Sequence, residues 1–213
     1  MNFKILTITL TMLTIGAMKY KLYVDNLDMY KTTQFNKIVN YQIKNKSYGF
    51  FELLFGLNCE NRKDTFYNFS SEDKKPYKNL SDEMIDIIKL AKYYFDKAGL
   101  KVDEFDGRIT FTSCQYNNIP LTSSPFDIHT DNEDMFDTNT CIFYTEKSDT
   151  LKGGNLDIYL EYSFLGRESL KPIELLLKTG SVVVFDGDLY HCPQSCGGTG
   201  YRNHIIVNLS TKK

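Results

Sequence analysis

The sequence has no tryptophan and only three histidines, at positions 129, 191 and 204. Neither sign of charge is in surplus: 25 Lys and Arg stand against 27 Asp and Glu, a net charge of -2. That balance argues against non-specific nucleic-acid binding, which shows a basic surplus or a basic stripe, and leaves only a local basic groove open. The five cysteines (59, 114, 141, 192 and 196) form no Cys-x-x-Cys pair. Cys192 and Cys196 lack a second pair of ligands at zinc-site spacing. An odd number in a chain this long reads as reduced thiols and not as a disulfide framework. No apolar run spans a bilayer comfortably. The longest, Ile5 to Ala17, is broken by Thr7, Thr9, Thr11 and Thr14. Its charged start and Gly16-Ala17 end fit a weak signal peptide, whereas its partial alternation fits a strand. The uncleaved reading is favoured, and with it a cytoplasmic location over the secretory pathway. Residues 1–18 are thus set apart from one domain over 19–213. Sequons at Asn45, Asn68, Asn79 and Asn208 are the chance product of an Asn-rich chain.

Tyr and Phe, 15 of each, supply a core. Lys19 to Val24 alternates as a first strand. Residues 28–44 carry Met29, Phe35, Ile38, Val39 and Ile43 at helical spacing. Residues 45–80 are polar and weakly patterned apart from Tyr48 to Leu57, and read as loops with an irregular strand. Over 82–98 the spacing predicts a helix, with Ser81 as N-cap, Asp82 and Glu83 at the positive end of the dipole, and Gly99 as its stop. From residue 108 short β-rich runs recur: 108–116, 125–131, 139–145, 154–160, 171–177, 181–186, 189–193 and 201–209. Eight runs at that spacing read as a sandwich or jelly roll. The expected fold is α+β: helical support over 19–104, then a double-stranded β-helix core over 105–211.

Within that core stands His129-Thr130-Asp131. In an extended setting residues two apart share a face, so an imidazole and a carboxylate lie side by side. A further ligand would complete a 2-His-1-carboxylate face, which suits non-haem Fe(II) and leaves positions open for a 2-oxo acid and O2. His191, after the apolar run Ser181 to Phe185, is the candidate. Parity on the last strand puts Arg202, His204, Ile206 and Asn208 on one face, which makes Asn208 a poor glycan acceptor. His204 reads there as a histidine satisfied inside the barrel. Asp186-Gly187-Asp188 reads as a hairpin turn. Cys192 packs on the far side of its strand, and Gly153-Gly154 is a tight turn feeding a strand.

The order of these segments resembles the Fe(II)/2-oxoglutarate-dependent dioxygenases, and more narrowly their prolyl-hydroxylase branch, which includes the oxygen-sensing enzymes. The matching stretches are His129-x-Asp131, Thr140 to Tyr144, Gly153-Gly154 to Tyr159, Gly180 to Phe185 with His191-Cys192-Pro193, and Gly200-Tyr201-Arg202. They fall within about residues 105–210. The resemblance implies that His129, Asp131 and His191 bind Fe(II) and that Arg202 pairs with the far carboxylate of 2-oxoglutarate. A guanidinium fork matches a carboxylate with two hydrogen bonds. Tyr144 takes the place of a tyrosine reaching the same carboxylate. Tyr116 lies near another pocket tyrosine, at a longer spacing from His129 than is usual. The implied activity is C–H hydroxylation, with O2 as second cosubstrate, succinate and CO2 as co-products and ascorbate as an accessory reductant. The substrate class is a peptide or protein, with prolyl residues foremost. Lysyl hydroxylation and nucleic-acid demethylation on the same scaffold are alternatives, as is a non-catalytic partner-binding domain. The demethylases carry a further Arg shortly after the anchor, where this chain reads Asn203 to Asn208. The sequence sets no oligomeric state.

Overall fold

The computed structural model describes residues 21–45, 61–121, 128–132, 137–159 and 172–211. The N-terminal apolar run, Tyr48 to Leu57 and Cys59 lie outside them. No described helix is long and apolar enough to cross a membrane.

Strand β1 (Leu22–Asn26) leads into helix α1 (Met29–Asn45), where Asp28 Oδ1 accepts from the Lys31 amide at 2.8 Å and caps the first turn. Phe35, Val39 and Ile43 recur at intervals of four and are buried. After β2 (Asn61–Phe69), helix α2 (Asp82–Ala98) has the predicted bounds. The Ser81 hydroxyl accepts from the Met84 amide, and Gly99 closes the helix in the left-handed region at φ 71°. Met84, Ile87, Ile88, Ala91, Tyr94 and Phe95 are its buried stripe.

The strands β3 (Val102–Ile119), β4 (Thr138–Lys147), β5 (Lys152–Gly153), β6 (Leu156–Tyr159), β7 (Ile173–Leu175), β8 (Ser181–Asp186), β9 (Tyr190–Pro193) and β10 (Cys196–Thr211) complete the chain. They form two sheets, the larger in the order β1-β8-β4-β10-β3-β2 with β5 on β10, the smaller in the order β7-β6-β9. All described pairings are antiparallel. Ile142, Tyr144, Val183 and Phe185 of the large sheet meet Leu156 and Ile158 of the small one in a single apolar cluster. The opposite face of the large sheet packs on both helices through Phe143, Val182, Val184, Ile205, Val207 and Leu209. This is the expected jelly roll with helical backing.

Four expectations are corrected. The polar stretch 45–80 holds β2, an edge strand whose Thr65 and Phe69 are buried while Asp64, Phe66 and Asn68 are exposed. Edge strands carry polar residues, which masked the alternation. The run 154–160 is a strand only from Leu156: Gly153 and Gly154, both at positive φ, separate β6 from the short β5 before it. Residues 128–131 are not a strand: only an isolated bridge joins His129 to His191. Asp186-Gly187-Asp188 turns, but not into a hairpin. β8 already has β1 and β4 on its two edges, so the chain crosses to the small sheet, where β9 pairs β6.

Candidate metal centre and its anion slot

His191 is carried by β9 and is 4% exposed. Its Nδ1 lies 3.0 Å from the Leu189 carbonyl oxygen, which can only accept, so Nδ1 carries the proton. Nε2 is left free as a lone-pair donor, 3.7 Å from Asp131 Oδ1. A second imidazole arrives by main-chain bonding. His129 N donates to His191 O at 3.0 Å and His191 N to His129 O at 2.9 Å, which sets the two ring centroids 4.4 Å apart. Asp131 is placed from the β8–β9 crossing, its amide donating to Gly187 O at 3.0 Å. Gly187 is required there, since a Cβ would meet Thr138 O at 1.9 Å. The three candidate ligand atoms lie within 4.8 Å of one another.

Asp131 is oriented from behind. The Thr140 hydroxyl donates to Asp131 Oδ2, and Asn208 Nδ2 donates to Thr140 Oγ1 at 2.9 Å. This leaves Oδ1 facing His191, and support of this kind fixes ligand orientation in metal sites. Burial lowers the pKa of His191, with His129 adding to the effect and Asp131 opposing it. A neutral imidazole is the form that binds metal.

Arg202, His204, Ile206 and Asn208 form the expected row on β10. Asn208 reaches the candidate ligand cluster through Thr140, and Arg202 stands at the other end. The Arg202 guanidinium is 6% exposed, and its Nε has no hydrogen-bond partner. Among the described residues no ion pair includes it. Its carbon lies 5.4 Å from the Tyr144 ring centroid, and it hydrogen-bonds the Tyr144 side chain. Burial raises the pKa of Tyr144, with Arg202 opposing, so the hydroxyl stays a donor. Tyr116 is buried with Cys114, Leu151 and Cys196, within electrostatic reach of Arg202, and desolvation is the main cause of its raised pKa. Gly154 passes so close to β10 that a Cβ would meet Cys196 Sγ at 2.3 Å. The Gly-Gly pair is therefore more than a turn: it lets this segment pack beside Arg202. A charged group buried without a counter-ion is costly, and an anionic ligand would offset that cost.

His204 stacks on Tyr144 at 5.8 Å, and its buried Nδ1 has no partner, contrary to the expected satisfied histidine. Desolvation, then Arg202 and Arg62, hold its pKa well below 6.5. Sequence reasoning missed Lys147. Alternation from Tyr144 puts Glu146 on the slot face, but an extra residue in β4 shifts the register and brings Lys147 opposite Arg202.

No protein-family model matches the sequence, and no curated protein sequence matches it. Solved structures do match in shape. A prolyl-4-hydroxylase from Pseudomonas putida superposes with a TM-score of 0.58 at 10% identity, covering 92% of this chain and 95% of that one. A Trichoplax adhaerens prolyl hydroxylase in complex with a hypoxia inducible factor oxygen degradation domain peptide gives 0.55 at 12% identity, over 90% and 84%. An oxidoreductase of the 2OG-Fe(II) oxygenase family from Burkholderia pseudomallei gives 0.54 at 11% identity, over 89% and 84%. At such identities the likeness speaks for architecture. The chain has the double-stranded β-helix fold shared by the prolyl hydroxylases and the 2-oxoglutarate/Fe(II) oxygenases.

Proposed function

We propose that the chain is an Fe(II)- and 2-oxoglutarate-dependent oxygenase that hydroxylates a C–H bond, with a prolyl residue of a peptide or protein as the favoured substrate. One observation carries this reading. A His-Asp-His cluster stands at one end of a half-buried row, and a buried guanidinium without a carboxylate partner at the other. His129, Asp131 and His191 would hold the metal, a donor set of two imidazoles and one carboxylate that suits Fe(II). Arg202 and the Tyr144 hydroxyl would bind the distal carboxylate of 2-oxoglutarate, with Tyr116 beside them. With O2, bound Fe(II) and 2-oxoglutarate supply an oxidative decarboxylation to succinate and CO2 coupled to C–H hydroxylation.

The residues contribute position, dryness and charge. Thr140 and Asn208 hold the Asp131 carboxylate in orientation, and Leu189 O fixes the tautomer of His191. Val183, Phe185, Leu156 and Ile158, in one buried apolar cluster with Tyr144, would keep water from the bound 2-oxo acid. The prolyl assignment rests on the strand motifs and on the peptide complex of the Trichoplax neighbour.

The test has two parts. Anaerobic addition of Fe(II) and 2-oxoglutarate is expected to produce a visible charge-transfer band that His129→Ala abolishes. Under air, succinate formation is expected to rise with a proline-containing peptide. No band in the wild-type protein would overturn the assignment. A band without stimulation by any prolyl peptide would move the substrate elsewhere, and salt-sensitive affinity for nucleic acid would point to demethylation.

A further inference from the structure

The β4–β10 register pairs His204 with Tyr144 and then Asn203 with Glu146, so Thr145 is an extra residue. The extra residue turns Thr145 and Glu146 to the same side. Thr145 Oγ1 lies 3.3 Å from Asn36 Oδ1 on α1, and Glu146 Oε2 accepts from Asn36 Nδ2 at 2.9 Å and Asn203 Nδ2 at 2.8 Å. Parity is thereby reset, and Lys147 emerges on the slot side, directly opposite Arg202. Bulges next to functional sites re-aim side chains in this way.

Lys147 Nζ donates to Leu177 O at 2.9 Å and to Asn155 Oδ1 at 3.4 Å, both neutral acceptors, which leaves one of its three N–H groups. The nearest acidic influence is Glu174, whose carboxylate is held by Asn155 Nδ2 at 2.8 Å. Among the described residues no ion pair includes Lys147. Desolvation lowers its pKa, and Arg202 lowers it further. Like charges directly opposite each other on antiparallel strands destabilise the pair. Here two cations share one end of a largely buried slot, beside Tyr144 and Cys196. An anion placed between them would relieve the repulsion and accept from Arg202 Nε and the remaining Lys147 N–H together.

Resting on the function proposed above, we infer that Lys147 is a second cationic anchor for the distal carboxylate of the 2-oxo acid. With Arg202 it selects diacids over monoacids. Its role is specificity, since nothing places it at the reacting atoms.

The experiment is calorimetric titration of the Mn(II)-loaded protein with 2-oxoglutarate and with 2-oxopentanoate, the same five-carbon chain without the second carboxylate. Lys147→Met is expected to weaken 2-oxoglutarate about tenfold, the size of one charge-assisted contact, and to leave 2-oxopentanoate within about twofold. Lys147→Arg is expected to restore most of the discrimination. If Lys147→Met does not fold, Lys147→Gln, which keeps a donor for Leu177 O, carries the same comparison. A variant that weakens both acids alike, or neither, overturns the inference and leaves the oxygenase reading standing. A wild-type protein that binds neither acid overturns both.

Discussion

Alternate residues of β10 belong to two different environments. Ile205, Val207 and Leu209 are fully buried against the helices, in one continuous apolar cluster with Phe143 and Val184. Arg202, His204 and Asn208, one residue out of step, line the slot with a cation, an unsatisfied ring nitrogen and an amide. From Ile205 to Leu209 the face toward the helices is apolar and well packed, with Asn203 at its edge tied through Nδ2 to Asn36 and Glu146. The other keeps polar groups that the fold alone does not satisfy. This sheet is stabilised from its back and carries its candidate site on its front, so the two properties should separate under mutation.

The largest effect should come from the back. Phe143 is fully buried, with edge contacts to Phe35 at 5.5 Å and Tyr94 at 6.0 Å. Phe143→Ala is expected to cost about 3–5 kcal/mol of stability, read by denaturant unfolding, while molecules still folded bind metal as before. Equal damage to metal affinity would break the comparison. On the front, Arg202→Met should weaken 2-oxoglutarate by about 3 kcal/mol, on the order of a hundredfold, in a binding titration. The same variant should lose no stability, because it removes a buried charge that lacks an ionic partner. Thr140→Val removes the hydroxyl that orients Asp131 and should lower metal affinity roughly 10–100-fold, measured by competition with a chelator.

The smallest effect sharpens the contrast through pH. The pKa of His204 in the fold is well below its ordinary 6.5. As pH falls through about 6.5, the unfolded chain takes up a proton that the folded chain refuses, so stability present above that pH is progressively lost. The slope is at most about 1.4 kcal/mol per pH unit for one group. Metal-free protein melted between pH 7.5 and 5.5 should show this decline. His204→Phe should lessen it without abolishing it, because His191 is depressed in the same direction.

Scarcity made much of the site readable. With three histidines in the chain, His129-x-Asp131 and one distant partner were few enough to be weighed singly, and parity placed His204 and Asn208 beside Arg202. Helix α2 was legible to the residue because Ser81 and Gly99 mark its ends by local chemistry. What stayed hidden depended on distant pairing. Lys147 changes face only because β10 accommodates an extra residue in β4. β2 is a strand because β3 offers it an edge, while its own residues are mostly polar. The segment of His129 looked like a strand and is a single bridge, since its alternation reports which way side chains point and not whether a ladder continues.

The two imidazoles are registered by reciprocal peptide-group bonds, which any pair of amino acids at 129 and 191 would make. Any coordination chemistry at these two rings is therefore laid over a clasp that does not depend on it. A descendant of this chain could exchange either side chain and still inherit the same outline.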